Sequence, residues 1–174
     1  MKLVSVNPEE IIGLNDYPPL HSPESLKKYF RFFINNDDKH IFSVPLITIS
    51  SALPILQEDP KFSPYIKVLQ KFLSEHKGVN YFQSGGKHRS SAAYLARKKV
   101  PGIVIENDED IKKIKPLLGD DKFLTEDSFE GVILGIKGSF LKHDRKFWTV
   151  KEKTEAMIAN GNIPKDIVDY FRSS

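Results

Sequence analysis

Lys87, His88 and Arg89 stand in a row directly after Gly85-Gly86, and Ser90, Ser91, Ala92 and Ala93 follow them. An apolar run, Val79 to Phe82, leads in through Gln83-Ser84. Adjacent glycines let the backbone turn sharply and approach a ligand with no Cβ in the way. A helix starting near Arg89 aims its first N–H groups, and the positive end of its dipole, back at that turn. Cations are disfavoured at that end, so three of them in a row call for an anion to offset the cost. Backbone donors and basic side chains together make a phosphate site. In it Gly85 and Gly86 supply backbone approach, Lys87 and Arg89 neutralise charge, and His88 donates a hydrogen bond to a phosphate oxygen. Ser90 and Ser91 add hydroxyl donors at the helix start. The plain alternative is a strand-turn-helix whose glycines only permit the turn.

The segment Tyr81-Phe82-Gln83-Ser84, Gly85-Gly86-Lys87-His88-Arg89, Ala92-Ala93-Tyr94 resembles the signature loop of the ParB/sulfiredoxin superfamily. It is most similar to the sulfiredoxin form, where an aromatic strand runs into F-G-G-C-H-R and then a helix. Val100-Pro101 and a second strand, Gly102 to Glu106, follow in the family's order. The match is dense around the loop and thinner over Leu3 to Glu106, and beyond Glu106 it stops. The position of sulfiredoxin's catalytic cysteine is held here by Lys87, and the chain contains no cysteine. Rescue of a sulfinic acid needs that thiolate, so sulfiredoxin activity is excluded. The nucleotide-phosphate site survives, with Lys87 as a point charge for a phosphate.

The resemblance implies an α+β fold: a small mixed sheet flanked by helices, with the phosphate loop at a strand's carboxyl end. It implies a nucleotide such as ATP, ADP or CTP, or DNA, as the phosphate-bearing partner, with Mg²⁺ as an accompanying ion. Three function classes follow. One is cleavage of a phosphoester or phosphoanhydride bond, as in ParB-like nucleases and nucleotidases. Another is a small-molecule kinase of the free-serine type, whose D-G-H-x-R loop is met here with Gly85 and Lys87 at the aspartate and histidine positions. The last is a non-catalytic nucleotide or DNA sensor. In the family the loop after the first strand lies beside the phosphate loop and can supply a catalytic acid. Here that loop, Asn15 to His21, makes Asp16 the first candidate acid, His21 the alternate general base and His88 their partner in a catalytic set. Magnesium prefers oxygen ligands, which lysine, histidine and arginine do not supply. Pro18 and Pro19 stiffen the loop.

The chain of 174 residues suits one domain with an appended piece. Its 40% hydrophobic and 28% charged residues are ordinary for a globular protein, and a formal charge of +3 permits nucleic acid without arguing for it. The lack of cysteine rules out disulfides and thiolate metal sites and is compatible with a reducing compartment. No apolar run approaches the roughly 20 residues of a membrane span, so a cytoplasmic protein without a membrane partner is expected.

The elements that must hold the loop follow from pattern. Leu3 to Val6 and Val44 to Ile49 read as strands. Ser22-Pro23 opens a helix whose Leu26, Tyr29, Phe30, Phe33 and Ile34 form a core-facing stripe. Glu9 to Leu14 suggests a helical turn. Residues 50–78 form a helical insertion in a core of 1–106, with a helix from Ser63-Pro64 stopped at Gly78. Residues 107–174 form an α/β extension packed on that core. In it Asn107-Asp108 caps a helix, Phe129 to Lys137 is strand-like, Thr149 to Glu152 is a capping box, and Pro164 opens a last helix. Asp120, Asp121, Glu126 and Asp127 read as a solvated acidic loop, and His143-Asp144 as a surface turn.

Overall fold

A computed structural model of the chain describes residues 2–14, 22–36, 43–118, 126–143 and 145–173. Five strands form one mixed sheet: β1 (Lys2–Val6), β2 (Ile11–Ile12), β3 (Val44–Thr48), β4 (Tyr81–Gln83) and β5 (Val100–Val104), in the order β1-β5-β3-β4-β2. β1 runs antiparallel to β5 and β3 antiparallel to β4, while β3 with β5 and β2 with β4 are parallel. The expected α+β architecture with a small mixed sheet is what the chain adopts.

The sheet is covered on both sides, because neighbouring strand residues point to opposite faces. Ile12, Ile47, Phe82 and Ile103 face one core, and Ile11, Leu46 and Val100 face the other. The first core is closed by α2 (Ile49–Glu58), α3 (Ser63–Glu75), α5 (Asp108–Ile114) and α6 (Phe129–Lys142). The second is closed by α1 (Pro23–Ile34), α4 (Lys87–Leu95), α7 (Val150–Ala159) and α8 (Lys165–Ser173).

Most helices start where the sequence marks them. Ser22 accepts a bond from the Ser25 amide with Pro23 at the first turn, and Asn107 accepts one from Asp110. Within residues 50–78 the helical character begins one residue early, at Ile49, capped by Thr48, and Pro54 lies inside α2.

Three expectations are corrected. Phe129 to Lys137 is the body of α6, not a strand; Phe129, Val132, Ile133, Ile136 and Phe140 recur at helical spacing and are all buried. Tertiary burial of that stripe outweighs the roughly 1 kcal/mol that each interior glycine costs a helix. The extension beyond residue 106 is accordingly helical among the described residues, with an isolated backbone bridge from Thr149 to Ile12 of the sheet. Glu9 to Leu14 is not a helical turn either. A 3₁₀ turn spans Pro8–Glu10, after which Ile11 and Ile12 pair in parallel with Tyr81 and Phe82.

Candidate functional site: the glycine turn between β4 and α4

β4 ends at Gln83, and α4 begins at Lys87 rather than near Arg89. Gly86 is the cap of that helix, with φ at +73°, a left-handed conformation that side chains resist. Its carbonyl accepts from the amides of Arg89 at 2.9 Å and Ser90 at 3.1 Å. No side chain caps the helix and no acid lies in its first turn. The amides of the two leading residues therefore point out of the helix end, together with its positive dipole.

The turn is braced from inside by Gln83, a role with no signal in the sequence beyond a polar residue ending an apolar strand. Gln83 is 1% exposed. Its Nε2 donates to Gly85 O at 2.6 Å, and its Oε1 accepts from Ser90 Oγ at 3.1 Å. The Ser84 amide donates to Pro45 O at 3.1 Å, tying the turn to β3. Ser90 is thus turned inward as a brace. Ser91 is also buried, with Thr154 Oγ1 3.2 Å from its hydroxyl, which pins α7 to α4.

Arg89 is wholly buried and lies directly beneath the turn. A Cβ placed on Gly86 would stand 3.2 Å from its Nε and Nη2. Its Nη1 donates to Ser43 O at 3.1 Å, and the guanidinium lies 5.8 Å from the centre of the Tyr29 ring. Gly86 is therefore required twice, by its φ and by the cation packed under it. Lys87 and His88 are half-buried on the first turn, with His88 Nε2 shielded from solvent.

The strands bring a further residue to this end. β2 and β4 are parallel and in register, so both chains leave the sheet on the same side. Gly13, just past β2, packs against the stem of Lys153: a Cβ there would sit 3.6 Å from Lys153 Cδ. Lys153 is 4% exposed on α7. The sequence places it amid helical polar residues, and only the fold reveals that it is buried beside the chain leading to residues 15–21.

Asp16 and His21 lie outside the described residues, as do Asp120, Asp121 and Asp144. Several acids that are described serve the fold. Asp108 Oδ1 accepts from the Phe129 amide at 2.7 Å, Asp110 Oδ2 from the Glu106 amide at 3.0 Å, and Asp127 pairs with Lys115. His143 is exposed at the end of α6. Among the described residues no group of three His, Cys, Asp or Glu stands together as a metal site.

One titratable pair missed in the sequence is prominent. His76 follows α3, with Nδ1 2.9 Å from Phe72 O and Nε2 2.8 Å from Glu152 Oε1. Both ring nitrogens face acceptors, the arrangement that suits the doubly protonated ring. Burial alone would lower the histidine pKa. The bonds to Glu152 and Phe72 and the Glu152 charge outweigh it and hold the value above the ordinary one. Burial would likewise raise the Glu152 carboxyl, but the Thr149 amide and His76 bring it below the ordinary value.

No family model, curated protein or solved structure matches the chain. The superfamily resemblance rests on the loop residues and the order of elements around them. Among the described residues no helix is long and apolar enough to cross a membrane.

Proposed function

We propose that the turn Gly85 to Arg89 binds the phosphate of a nucleotide or nucleic acid, and that the reaction served there is cleavage of a phosphoester or phosphoanhydride bond. The observation that carries the binding reading is the opening of α4: a left-handed glycine cap, no capping side chain, no acid, and Lys87-His88-Arg89 on the positive dipole end. That end is arranged for an anion. The superfamily resemblance of the loop supports a phosphate as that anion.

The residues divide the work. The amides of Lys87 and His88 point from the helix end toward the phosphate oxygens, and the Lys87 ammonium neutralises their charge. Arg89 acts from beneath, adding fixed positive potential without solvent screening and holding the backbone at Gly86. Gln83 and Ser90 keep the turn in one geometry, which electrostatic stabilisation of a phosphoryl group requires. In cleavage a water oxygen bonds to phosphorus as the bridging P–O bond breaks. The water's proton passes to a base, for which Asp16 is the first candidate and His21 the alternate, and the leaving oxygen departs with the bridging electron pair. His88 is the donor to the phosphoryl oxygen in this scheme. No step is routed through a metal ion.

Calorimetry against ATP, ADP, CTP and a short oligonucleotide tests the binding half. A charge-assisted bond contributes about 1.5–3 kcal/mol, so Lys87→Ala should weaken the ligand that binds by roughly ten- to a hundredfold. Wild type that binds none of the four overturns the reading. For the catalytic half, Asp16→Asn should abolish turnover, assayed with and without Mg²⁺ or Mn²⁺, while leaving affinity within a few-fold. Tight binding by wild type with no turnover of any of them identifies a sensor instead.

A further inference from the structure

The two edges of the sheet are finished differently. At one edge β2 is only two residues long, and the chain entering α7 lies alongside it: Thr149 bridges Ile12, and the Gly13 amide donates to Trp148 O at 3.0 Å. At the other edge β1 pairs with β5, and among the described residues no element pairs with its outer side. Its five residues meet Val104 to Val100 without a break, so no bulge turns it out of line. No proline interrupts it, and its one charge, Lys2, stands at its start. Val4 and Val6 point into the core closed by α1 and α4, as alternation along a strand requires. Lys2, Leu3 and Ser5 are exposed, Leu3 by 71%.

An edge strand leaves its outer backbone N–H and C=O groups outside the sheet's own bonding. Proteins commonly blunt such an edge by shortness, a bulge, proline, charge or a covering segment. β2 is short and covered. β1 has an ordinary strand length and, of these devices, a single terminal lysine. A local rule set aside in this way, with an exposed leucine at the centre of it, marks a surface kept for a partner.

The partner is narrowed by what stands beside the strand. A foreign peptide added to a sheet takes its specificity from pockets for alternate side chains. With Leu3 and Ser5 this exposed, no pocket wall rises on their face. A second copy supplies its own complement, because a strand meeting itself across a two-fold axis pairs antiparallel. With the axis at Val4 all five residues pair, each Leu3 standing opposite the other copy's Ser5. The two Leu3 side chains then lie diagonally, about 7–8 Å apart, within contact reach. The two Lys2 residues fall at opposite ends, about 13 Å apart along the strands and beyond the screening length at physiological salt. Parallel pairing would instead set Lys2 beside Lys2.

We propose that the outer edge of β1 is the interface for a second copy of this chain, the two β1 strands pairing antiparallel about Val4. The proposal stands apart from the phosphate reading of the glycine turn and uses none of its residues.

So small an interface forms a weak dimer, with a dissociation constant on the order of 10–100 µM. Sedimentation equilibrium across that range should show monomer passing to dimer and no further. The chain has no cysteine, so Ser5→Cys supplies one labelling site at an exposed position. Pyrene attached there should give excimer emission that rises with concentration and is lost on adding excess unlabelled protein, since the two labels are diagonal neighbours on one face. Leu3→Lys removes the apolar contact and brings two more cations together, and should weaken the dimer by about tenfold or more with the melting temperature of the monomer unchanged. A chain that stays monomeric across the range overturns the proposal. So does a dimer without excimer emission, or one that Leu3→Lys leaves as tight as before. Lys87→Ala should leave the dimer intact, so either reading can fail without the other.

Discussion

α7 opens on Thr149 and Glu152, which exchange hydrogen bonds with each other's amides, and Glu152 also holds His76. α4 opens on Gly86, with no capping side chain and a lysine, a histidine and an arginine in its first turn. The two helices lie on the same face of the sheet and are pinned together through Ser91 and Thr154. Their dipoles demand the same thing, negative charge at the start. α7 meets the demand from its own sequence, whereas α4 adds positive charge and builds a buried cation under the turn. A helix end finished by its own residues serves stability. One that opens on a left-handed glycine over a buried cation, braced by a buried glutamine, is the end to which the proposed function assigns a phosphate.

The contrast can be broken most forcefully at Arg89. Arg89→Ala removes a fully buried guanidinium and opens a void beneath Gly86, and should destabilise the fold by about 3–5 kcal/mol in denaturant unfolding. A loss below about 1 kcal/mol would mean that the turn does not depend on the cation. Next comes a matched pair of glycines. Gly86 and Gly161 have nearly the same φ, +73° and +71°, but a Cβ on Gly161 meets nothing within 4 Å while one on Gly86 meets Arg89. Gly161→Ala should cost about 1 kcal/mol and Gly86→Ala about 1–3 kcal/mol more. Only Gly86→Ala should weaken nucleotide binding, and equal effects on stability and affinity would erase the distinction. Thr149→Ala should cost about 1 kcal/mol in thermal unfolding and leave affinity unchanged, as befits a cap that serves only its helix.

The smallest effect is in pH. His76 is held above its ordinary value, so its contribution is full below roughly pH 6.5 and fades as pH rises through the raised value. Glu152 is held below its ordinary value, so its contribution is present above roughly pH 4.3 and is lost as pH falls through the lowered one. Melting temperature should therefore drop slightly between about pH 5.5 and about pH 8.5, and His76→Gln should remove that drop. A drop of the same size in the variant would assign it to other groups.

The parts legible in the sequence were those set by local chemistry. Ser22, Asn107 and Thr149 announce helix starts because each bonds an amide within its own turn. Leu26, Phe30 and Phe33 announce a buried face by spacing alone. α6 was illegible because its glycines and β-branched residues oppose a helix locally, and only the shared core with Ile47 and Phe82 decides otherwise. Ile11-Ile12 become a strand only because Tyr81 and Phe82 lie alongside. At the site, the glycines and the basic triplet are visible as types and spacing. The inward turn of Arg89 and Ser90, the bracing by Gln83 and the burial of Lys153 are properties of distant residues brought together. No local pattern encodes them.

The order of the elements bears on how the chain is made. The sheet is complete once Val104 has been synthesised, yet α6 on one face and α7 and α8 on the other come later. A nascent chain at that stage carries finished strands with Ile12, Ile47 and Phe82 lacking α6, and Ile11 and Leu46 lacking α7. Such a half-covered sheet is adhesive to other chains. The C-terminal helices act as late-arriving shields, and translation that stalls before residue 129 should yield a product that aggregates or stays bound to chaperones.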